Sequence, residues 1–317
     1  MTPSASRIPT QDRYRGALVG LALGDALGAP REGGPLERLL WRWLGFTPGG
    51  LHRFTDDTQM SVDLALSLIR HGGVDQDDLA ARFADSYRWD RGYGPGAAKV
   101  LKQIRAGRAW QDACLSVYPA GSFGNGGAMR SPVIGLFFHS RPDELLRAAP
   151  LASQVTHAHP LAVEGATLVA GATAAALDGP DGSQLLEQAS RFCASPAFST
   201  RLDKARHWLQ TGQPISPQVL RSELDMGITA TTSCVTSLYL AARFLDRSID
   251  ALIGFASDAG GDVDTVCAMA GALWGARNGF AALPGHLVAR LEGAARLADI
   301  GDQLHAKAHA AAAAALR

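Results

Sequence analysis

Hydrophobic positions return at intervals of three and four along most of the chain, the spacing of helices with a buried face. The pattern predicts helices over 14–27, 61–71, 77–89, 97–106, 144–154, 161–176, 185–194, 232–245, 249–257, 265–278 and 287–312. Runs of β-branched residues in strict alternation, the mark of a half-buried strand, are nearly missing. An all-α fold is therefore expected. Many of the segments are rich in alanine with glycine at intervals, which lets helix axes approach closely, so the expected architecture is a compact orthogonal multi-helix bundle. The alanine-rich tail at 306–316 reads as a surface helix with a fraying end.

Three stretches interrupt the periodicity with proline, glycine and polar residues: 29–50, 177–183 and 211–217. Each is short or flanked by segments that resume helical spacing, so they read as loops inside one domain spanning 1–317, with flexible ends at 1–11 and 313–317. No internal repeat is visible. No apolar run reaches the ~20 residues of a membrane-spanning helix, and the polar start MTPSASRIPTQDRYRG lacks the apolar stretch of a secretion signal. A cytoplasmic monomer off the membrane is the expectation. With 47% hydrophobic and 19% charged residues the chain is not a disordered one. Thirty Lys and Arg balance thirty Asp and Glu, leaving no basic field to hold a nucleic-acid backbone. The four cysteines, Cys114, Cys193, Cys234 and Cys267, are widely spaced in mostly apolar surroundings that suit buried thiols in a reducing compartment.

Because charge is sparse, its concentrations stand out. FTDDTQM, at 54–60, opens a helical pattern. Helix capping is its simplest reading, yet the carboxylates of Asp56 and Asp57 with the flanking hydroxyl of Thr55 also offer hard oxygen ligands to Mg²⁺ or Mn²⁺. A second such cluster, SDAGGDVDT at 257–265, opens another helix and places Asp258, Asp262 and Asp264 within seven residues, followed by Thr265. A solvated loop is its simplest reading. Like charges so close repel unless solvated or neutralised, and two acid-and-threonine clusters at two helix starts read as halves of one site for two divalent cations.

The third cluster, GSFGNGGAMR at 121–130, has four glycines in seven positions. A plain flexible loop would explain it; equally, a row of exposed backbone N–H groups at a helix start receives phosphate oxygens. With Phe123 available to stack on a base and Asn125 to hydrogen-bond a ribose or phosphate, a nucleotide diphosphate is the expected ligand. No surrounding βαβ unit and no Gly-Lys-Ser/Thr supports a dinucleotide fingerprint or a P-loop. Two smaller pieces join these. GDALG at 24–28 leads to Glu32, an acid on a glycine- and proline-rich loop that can swing over a site. THAHP at 156–160 offers imidazoles, of which His157 is a binding candidate, and without cysteine partners or an H-E-x-x-H spacing zinc is not favoured.

Taken together, GALVGLALGDALGA, FTDDTQM, GSFGNGGAMR, THAHP and SDAGGDVDTVCAMAGALWGARNG occur in the order and approximate spacing of the ADP-ribosylglycohydrolase family, which the chain resembles over nearly its whole length. That family includes bacterial dinitrogenase reductase-activating glycohydrolases and ADP-ribosylhydrolases. The resemblance implies a compact all-α fold with a dinuclear Mg²⁺ or Mn²⁺ centre at the bottom of an ADP-ribose cleft. It places the metal ligands at Thr55, Asp56, Asp57, Asp262, Asp264 and Thr265, and a mobile glutamate beside them at Glu32. Ser122, Phe123, Gly124, Asn125, Gly126 and Gly127 match the segment that lines pyrophosphate and adenosine. His157 matches a histidine facing the diphosphate, and Asp25 a residue that supports the ligands.

The implied reaction cleaves the bond between C1″ of ADP-ribose and a modified protein side chain, or a small molecule carrying ADP-ribose, with Glu32, Asp57 and Asp264 as the catalytic acids. Arginine is the favoured linkage, because bacterial-type relatives with FTDDTQM often reverse that mark; serine or another O-linkage is the alternative. A covalent glycosyl intermediate stays open. The chain departs from relatives in the Trp- and Arg-rich loop 31–50 and in WDRGYGPG at 89–96, and these departures touch the leaving group, not the ADP-ribose half. Two rivals remain at this level: an ADP-ribose-binding module with weak turnover, as lens crystallin-like relatives suggest, and a metal-dependent phosphohydrolase of nucleotide diphosphates.

Overall fold

The computed structural model describes residues 11–32, 39, 41 and 43–315. Among them the chain is helical throughout, with no strand beyond three isolated bridges, Phe46 with His52, His52 with Leu291 and Gly124 with Thr229. The helices run in the order α1 (Gln11–Gly28), α2 (Asp56–His71), α3 (Gln76–Ser86), α4 (Pro95–Arg105), α5 (Trp110–Val117), α6 (Pro132–Phe137), α7 (Pro142–Gln154) and α8 (Pro160–Ala176). They continue with α9 (Gly182–Ala189), α10 (Pro196–Thr211), α11 (Pro217–Glu223), α12 (Ala230–Phe244), α13 (Ile249–Ala259), α14 (Val263–Asn278), α15 (Gly285–Val288) and α16 (Ala294–Ala315). Among the described residues no helix is long and apolar enough to cross a membrane.

Three helices form the centre because their sequences leave them no polar face. Every residue of α14 from Val263 to Ala276 is buried, as are most of α1 and α8, the condition of a helix apolar on all sides. α1 and α14 pack antiparallel at backbone distance. Gly16 faces Gly275, Gly20 faces Gly271, Gly24 faces Cys267 and Gly28 faces Asp264, a four-residue rhythm along one stripe. A Cβ at Gly20 would lie 2.4 Å from the Gly271 carbonyl oxygen, and one at Gly271 would lie 2.2 Å from that of Gly20. The antiparallel pairing sets the C-terminal end of α1 against the N-terminal end of α14, and the acids of both are brought together there.

Several helices were not expected from periodicity: α5, α6, α10 and α11. Three of these begin with a proline, Pro132, Pro196 or Pro217, which terminates a helix from inside but is well placed in its first turn. In α10 the buried Phe198, Leu202, Ala205 and Trp208 keep the helical spacing behind that proline. The expected helix over 185–194 ends instead at Ala189 and continues as a 3₁₀ turn, and that over 77–89 stops at Ser86.

The expected helix over 287–312 is split. Gly293 adopts φ 66°, and the break lets His52 donate to the Arg290 carbonyl at 2.7 Å and accept from the Glu292 N–H at 2.9 Å. Glu292 then clamps Arg91 with two bonds of 2.7 and 2.8 Å. The tail expected as a fraying surface helix at 306–316 runs as regular helix to Ala315, mostly at the surface with Ala308 buried. The flexible ends expected at 1–11 and 313–317 fall mainly outside the described residues, as does much of the Trp- and Arg-rich loop after Glu32.

Candidate active site

The first acid cluster is held open by α1. Thr55 caps α2, and the buried carboxylate of Asp25 accepts from the Thr55 N–H at 2.9 and 3.0 Å, the Thr58 N–H at 3.0 Å and the Thr58 hydroxyl at 2.5 Å. Asp25 thus takes up the orphan donors of the helix start, which frees Asp56 and Asp57 from capping. A second brace comes from the far side. Asp56 donates its N–H to the Arg91 carbonyl at 2.7 Å, while the Arg91 guanidinium holds the Phe54 carbonyl at 2.6 Å and stacks over the Phe54 ring.

The second cluster is set by the loop before α14. Gly261 has φ 97°, and a Cβ there would sit 2.3 Å from the Met226 carbonyl oxygen, so only glycine makes this turn without strain. That carbonyl accepts the Asp262 N–H at 2.8 Å. Asp258 stays exposed on α13, whereas Asp262, Asp264 and Thr265 turn inward.

The two clusters meet. The Thr55 hydroxyl donates to Asp57 Oδ2 at 3.0 Å, and the Thr265 hydroxyl donates to the same oxygen at 3.3 Å. Asp57 Oδ1 is buried with no partner among the described residues. Glu32, Asp262 and Asp264 each present an oxygen within 4.8 Å of the others. Burial and mutual repulsion push these carboxyls up: Asp56 to about 8 and Asp262 to about 7, with Asp57 and Asp264 raised well above the ordinary range. Desolvation is the largest cause for each, and neighbouring carboxylates add to it. An all-oxygen donor set with a bare buried oxygen and unbalanced negative charge fits hard divalent cations.

These acids form the floor of a cleft of about 240 Å³. Glu32, Asp56, Asp262, Asp264 and Thr265 line one part; Ser122, Gly124, Asn125, Gly126, Thr156 and His157 line another. The two parts are tied by Asn125, whose side-chain amide donates to Asp262 Oδ2 at 2.5 Å. Gly126 is needed for contact, since a Cβ would lie 2.4 Å from the His157 ring. Burial, with Arg130 nearby, lowers the His157 imidazole to about 3, so the ring is neutral. Gly92, Gly94, Pro95, Gly96, Ala97 and Tyr118 line the cleft too.

Not every expected site residue reaches the cleft wall. Thr55 and Asp57 lie beneath it, their hydroxyl and carboxylate bonded to each other. Gly127 also lies beneath, where a Cβ would strike Ser153 Oγ at 2.2 Å. Phe123, read as a stacking platform, is half exposed and meets His159 edge-on at 5.7 Å instead of lining the cavity. In the other direction, periodicity and motif reading assigned no role to Arg130, which is fully buried, stacks over Phe83 and binds the carbonyls of Gly126 at 2.5 Å and Ala152 at 2.8 Å. Its signal was a lone cation between apolar neighbours, Met129 and the run that begins at Pro132.

Comparison with known proteins agrees with this geometry. The ADP-ribosylglycohydrolase family profile matches residues 6–314, and the chain belongs to that family. It is accordingly an enzyme of the glycosidic-hydrolase class. Among its relatives, ADP-ribosylhydrolase ARH3 of Homo sapiens is 30% identical, with 92% of this chain and 93% of that protein covered. ADP-ribosylhydrolase ARH3 of Mus musculus is 31% identical, with 92% and 91% covered. A solved structure titled ADP-ribosylglycohydrolase-related protein complex superposes with a TM-score of 0.69 at 28% identity, covering 94% of this chain and 98% of that one.

Proposed function

We propose that the enzyme hydrolyses the C1″ glycosidic bond between ADP-ribose and a protein side chain, using two divalent cations, Mg²⁺ or Mn²⁺. The observation that carries this reading is the convergence of Glu32, Asp262 and Asp264 within 4.8 Å in a cleft that the glycine segment also lines. The residues that would hold the ions are Asp56, Asp57, Asp262, Asp264 and Thr265, with Thr55 orienting Asp57 through its hydroxyl. When bound, such ions supply positive charge that grips ribose hydroxyls and lowers the pKa of water.

The remaining steps belong to the chain. Gly124 and Gly126 admit the diphosphate close to the backbone, and His157 lies beneath them. Asn125 is anchored on Asp262, so the phosphate wall and the acid floor keep a fixed separation, which holds the terminal ribose over the carboxylates. Water attacks C1″ as the bond to the side-chain heteroatom breaks and its electron pair leaves with that atom. A carboxylate among Asp57, Asp264 and Glu32 takes the proton from the water, and a proton returns to the leaving atom. Glu32, on the loop at the cleft edge, is placed to serve either transfer.

For the leaving side chain, arginine is the reading that FTDDTQM supports. One observation favours an oxygen linkage instead: among the described residues, the part of the lining away from the acid floor that Gly92, Gly94, Pro95, Gly96, Ala97 and Tyr118 contribute carries no carboxylate to receive a guanidinium. A panel of peptides carrying ADP-ribose on arginine or on serine decides between them. Free ADP-ribose from either peptide, lost in chelator and restored by Mg²⁺ or Mn²⁺, supports the reaction; AMP as product, or turnover indifferent to chelator, refutes it.

Cation binding should also be pH-dependent. The folded chain without ions holds protons on Asp262 and Asp56 with values near 7 and 8, whereas the unfolded chain releases them near 4. Their contribution to stability is therefore full below about pH 4 and lost as the pH rises through 7 to 8. Ions must displace those protons. The gain in melting temperature on adding Mg²⁺ or Mn²⁺ to chelator-treated protein should be larger at pH 8 than at pH 6, with protons released on binding. An equal gain at both pH values, with no proton release, overturns the assignment of the ions to this cluster.

A further inference from the structure

We propose that Arg130 and Thr156 are positioning residues that fix His157 as the tautomer carrying its proton on Nε2, so that the ring offers an N–H donor to an anionic oxygen in the cleft. The argument is one of hydrogen-bond direction. A guanidinium only donates, and Arg130 Nη2 lies 3.0 Å from Thr156 Oγ1, so this hydroxyl oxygen accepts there. The hydroxyl has a single proton and one other partner, His157 Nδ1 at 2.8 Å. Were Nδ1 protonated, the Thr156 oxygen would accept twice and its own proton would find no acceptor among the described residues, at a residue only 3% exposed. Burying an unpaired donor is costly. The consistent arrangement runs from Arg130 to Thr156 to Nδ1, which leaves the imidazole proton on Nε2.

Packing directs that nitrogen to the ligand. A Cβ built on Gly124 would lie 3.4 Å from Nε2 and one on Gly126 2.8 Å from it, and both glycines line the cleft. The His157 backbone is fixed as well, its N–H donating to the Ser153 carbonyl at 2.8 Å and its carbonyl accepting from the Ser153 hydroxyl at 2.9 Å. The same guanidinium bonds the Gly126 carbonyl at 2.5 Å and the Ala152 carbonyl at 2.8 Å, so the glycine wall and the imidazole share one anchor. A neutral ring with a fixed N–H suits a diphosphate oxygen that needs a donor without a movable proton. Arg130 thereby acts on the ligand without touching it. Naming the oxygen as one of the ADP-ribose diphosphate rests on the function proposed above; the direction of the relay does not.

The test reads the two parts separately. In ¹⁵N-labelled wild-type protein without ligand, the His157 ring should show a protonated Nε2 and a bare Nδ1. Thr156→Val keeps the side-chain shape and removes the hydroxyl; His157 should then populate both tautomers, and Thr156→Ser should restore the single one. ADP-ribose should bind Thr156→Val about tenfold more weakly, a shift of ~1.4 kcal/mol, while adenosine, which lacks phosphate, should bind the two proteins alike. In turnover the loss should appear in KM with kcat nearly unchanged. A wild-type ring protonated on Nδ1, or a Thr156→Val protein with the tautomer and ADP-ribose affinity of wild type, overturns the relay. A relay present in wild-type protein that binds no ADP-ribose supports the positioning role and refutes the functional reading instead.

Discussion

Replacing Asp264 by asparagine will lower the release of ADP-ribose by about 10²–10⁴-fold. The substitution keeps volume and most of the hydrogen bonding, including an oxygen for the Thr265 N–H that Asp264 Oδ1 now accepts at 2.9 Å. What it removes is one of three carboxylates that meet within 4.8 Å, and with it a negative charge that the cation set needs and a candidate proton acceptor. Relief of the repulsion around Asp264, whose proton affinity is raised by burial and by Asp262 and Asp25, should leave the protein without added ions as stable as wild type or more so. Loss of activity at undiminished melting temperature is therefore the expected signature, and it separates a functional acid from a structural one. Asp258→Asn is the comparison: this acid belongs to the same sequence cluster but is exposed, and its replacement should leave turnover within about twofold. Asp264→Asn protein with wild-type turnover in the presence of ions would remove the acid floor from the mechanism.

The contrast between Asp258 and Asp264 also shows what kind of information a sequence holds. The two acid-and-threonine clusters were legible because each is local: seven to nine neighbouring residues at a helix start carry both the chemistry and the reason for its unusual density. What joins them is not local. Thr265 reaches Asp57 across 208 positions and Arg91 reaches Glu292 across 201, and no spacing rule announces either partner. The split in the expected helix over 287–312 has the same origin, since the break exists to deliver Glu292 to Arg91 and the backbone of 290–292 to His52. The placement of Phe123 has a related origin. An aromatic residue inside a glycine run suggests stacking on a base, but its ring direction is set by His159 and by the pairing of Phe123 and Gly124 with residues 229–230, contacts that only the folded chain contains. Arg130 was overlooked because a buried guanidinium is recognisable by its acceptors, and these are carbonyls of residues up to 23 positions away.

Gly24→Ala should be among the most destabilising single-methyl changes possible in this protein. The added Cβ would lie 2.0 Å from the Cys267 carbonyl oxygen, 2.4 Å from its carbon and 2.9 Å from the Ala268 nitrogen. All three atoms are backbone inside a fully buried helix, so no side-chain rotation relieves the clash, and α1 must part from α14. Overpacking of a core costs roughly 1–3 kcal/mol when side chains can adjust; with backbone on both sides the cost should exceed about 3 kcal/mol, and melting should fall by on the order of 5–10 °C. Function should suffer beyond the loss of stability. Asp25, the next residue, holds the start of α2, and Asp264 lies against Gly28 one turn further on, so any parting of the helices separates the acid clusters they carry. Turnover should fall even well below the melting temperature, in step with weaker cation binding. Gly254→Ala supplies the control: it lies mid-helix in α13 with nothing among the described residues, beyond its own helix backbone, within 4 Å of the new Cβ, and alanine's higher helix propensity should raise stability by up to ~1 kcal/mol. Should Gly24→Ala melt within a degree of wild type and keep its activity, the glycine stripe is not what sets the distance between the two acid clusters.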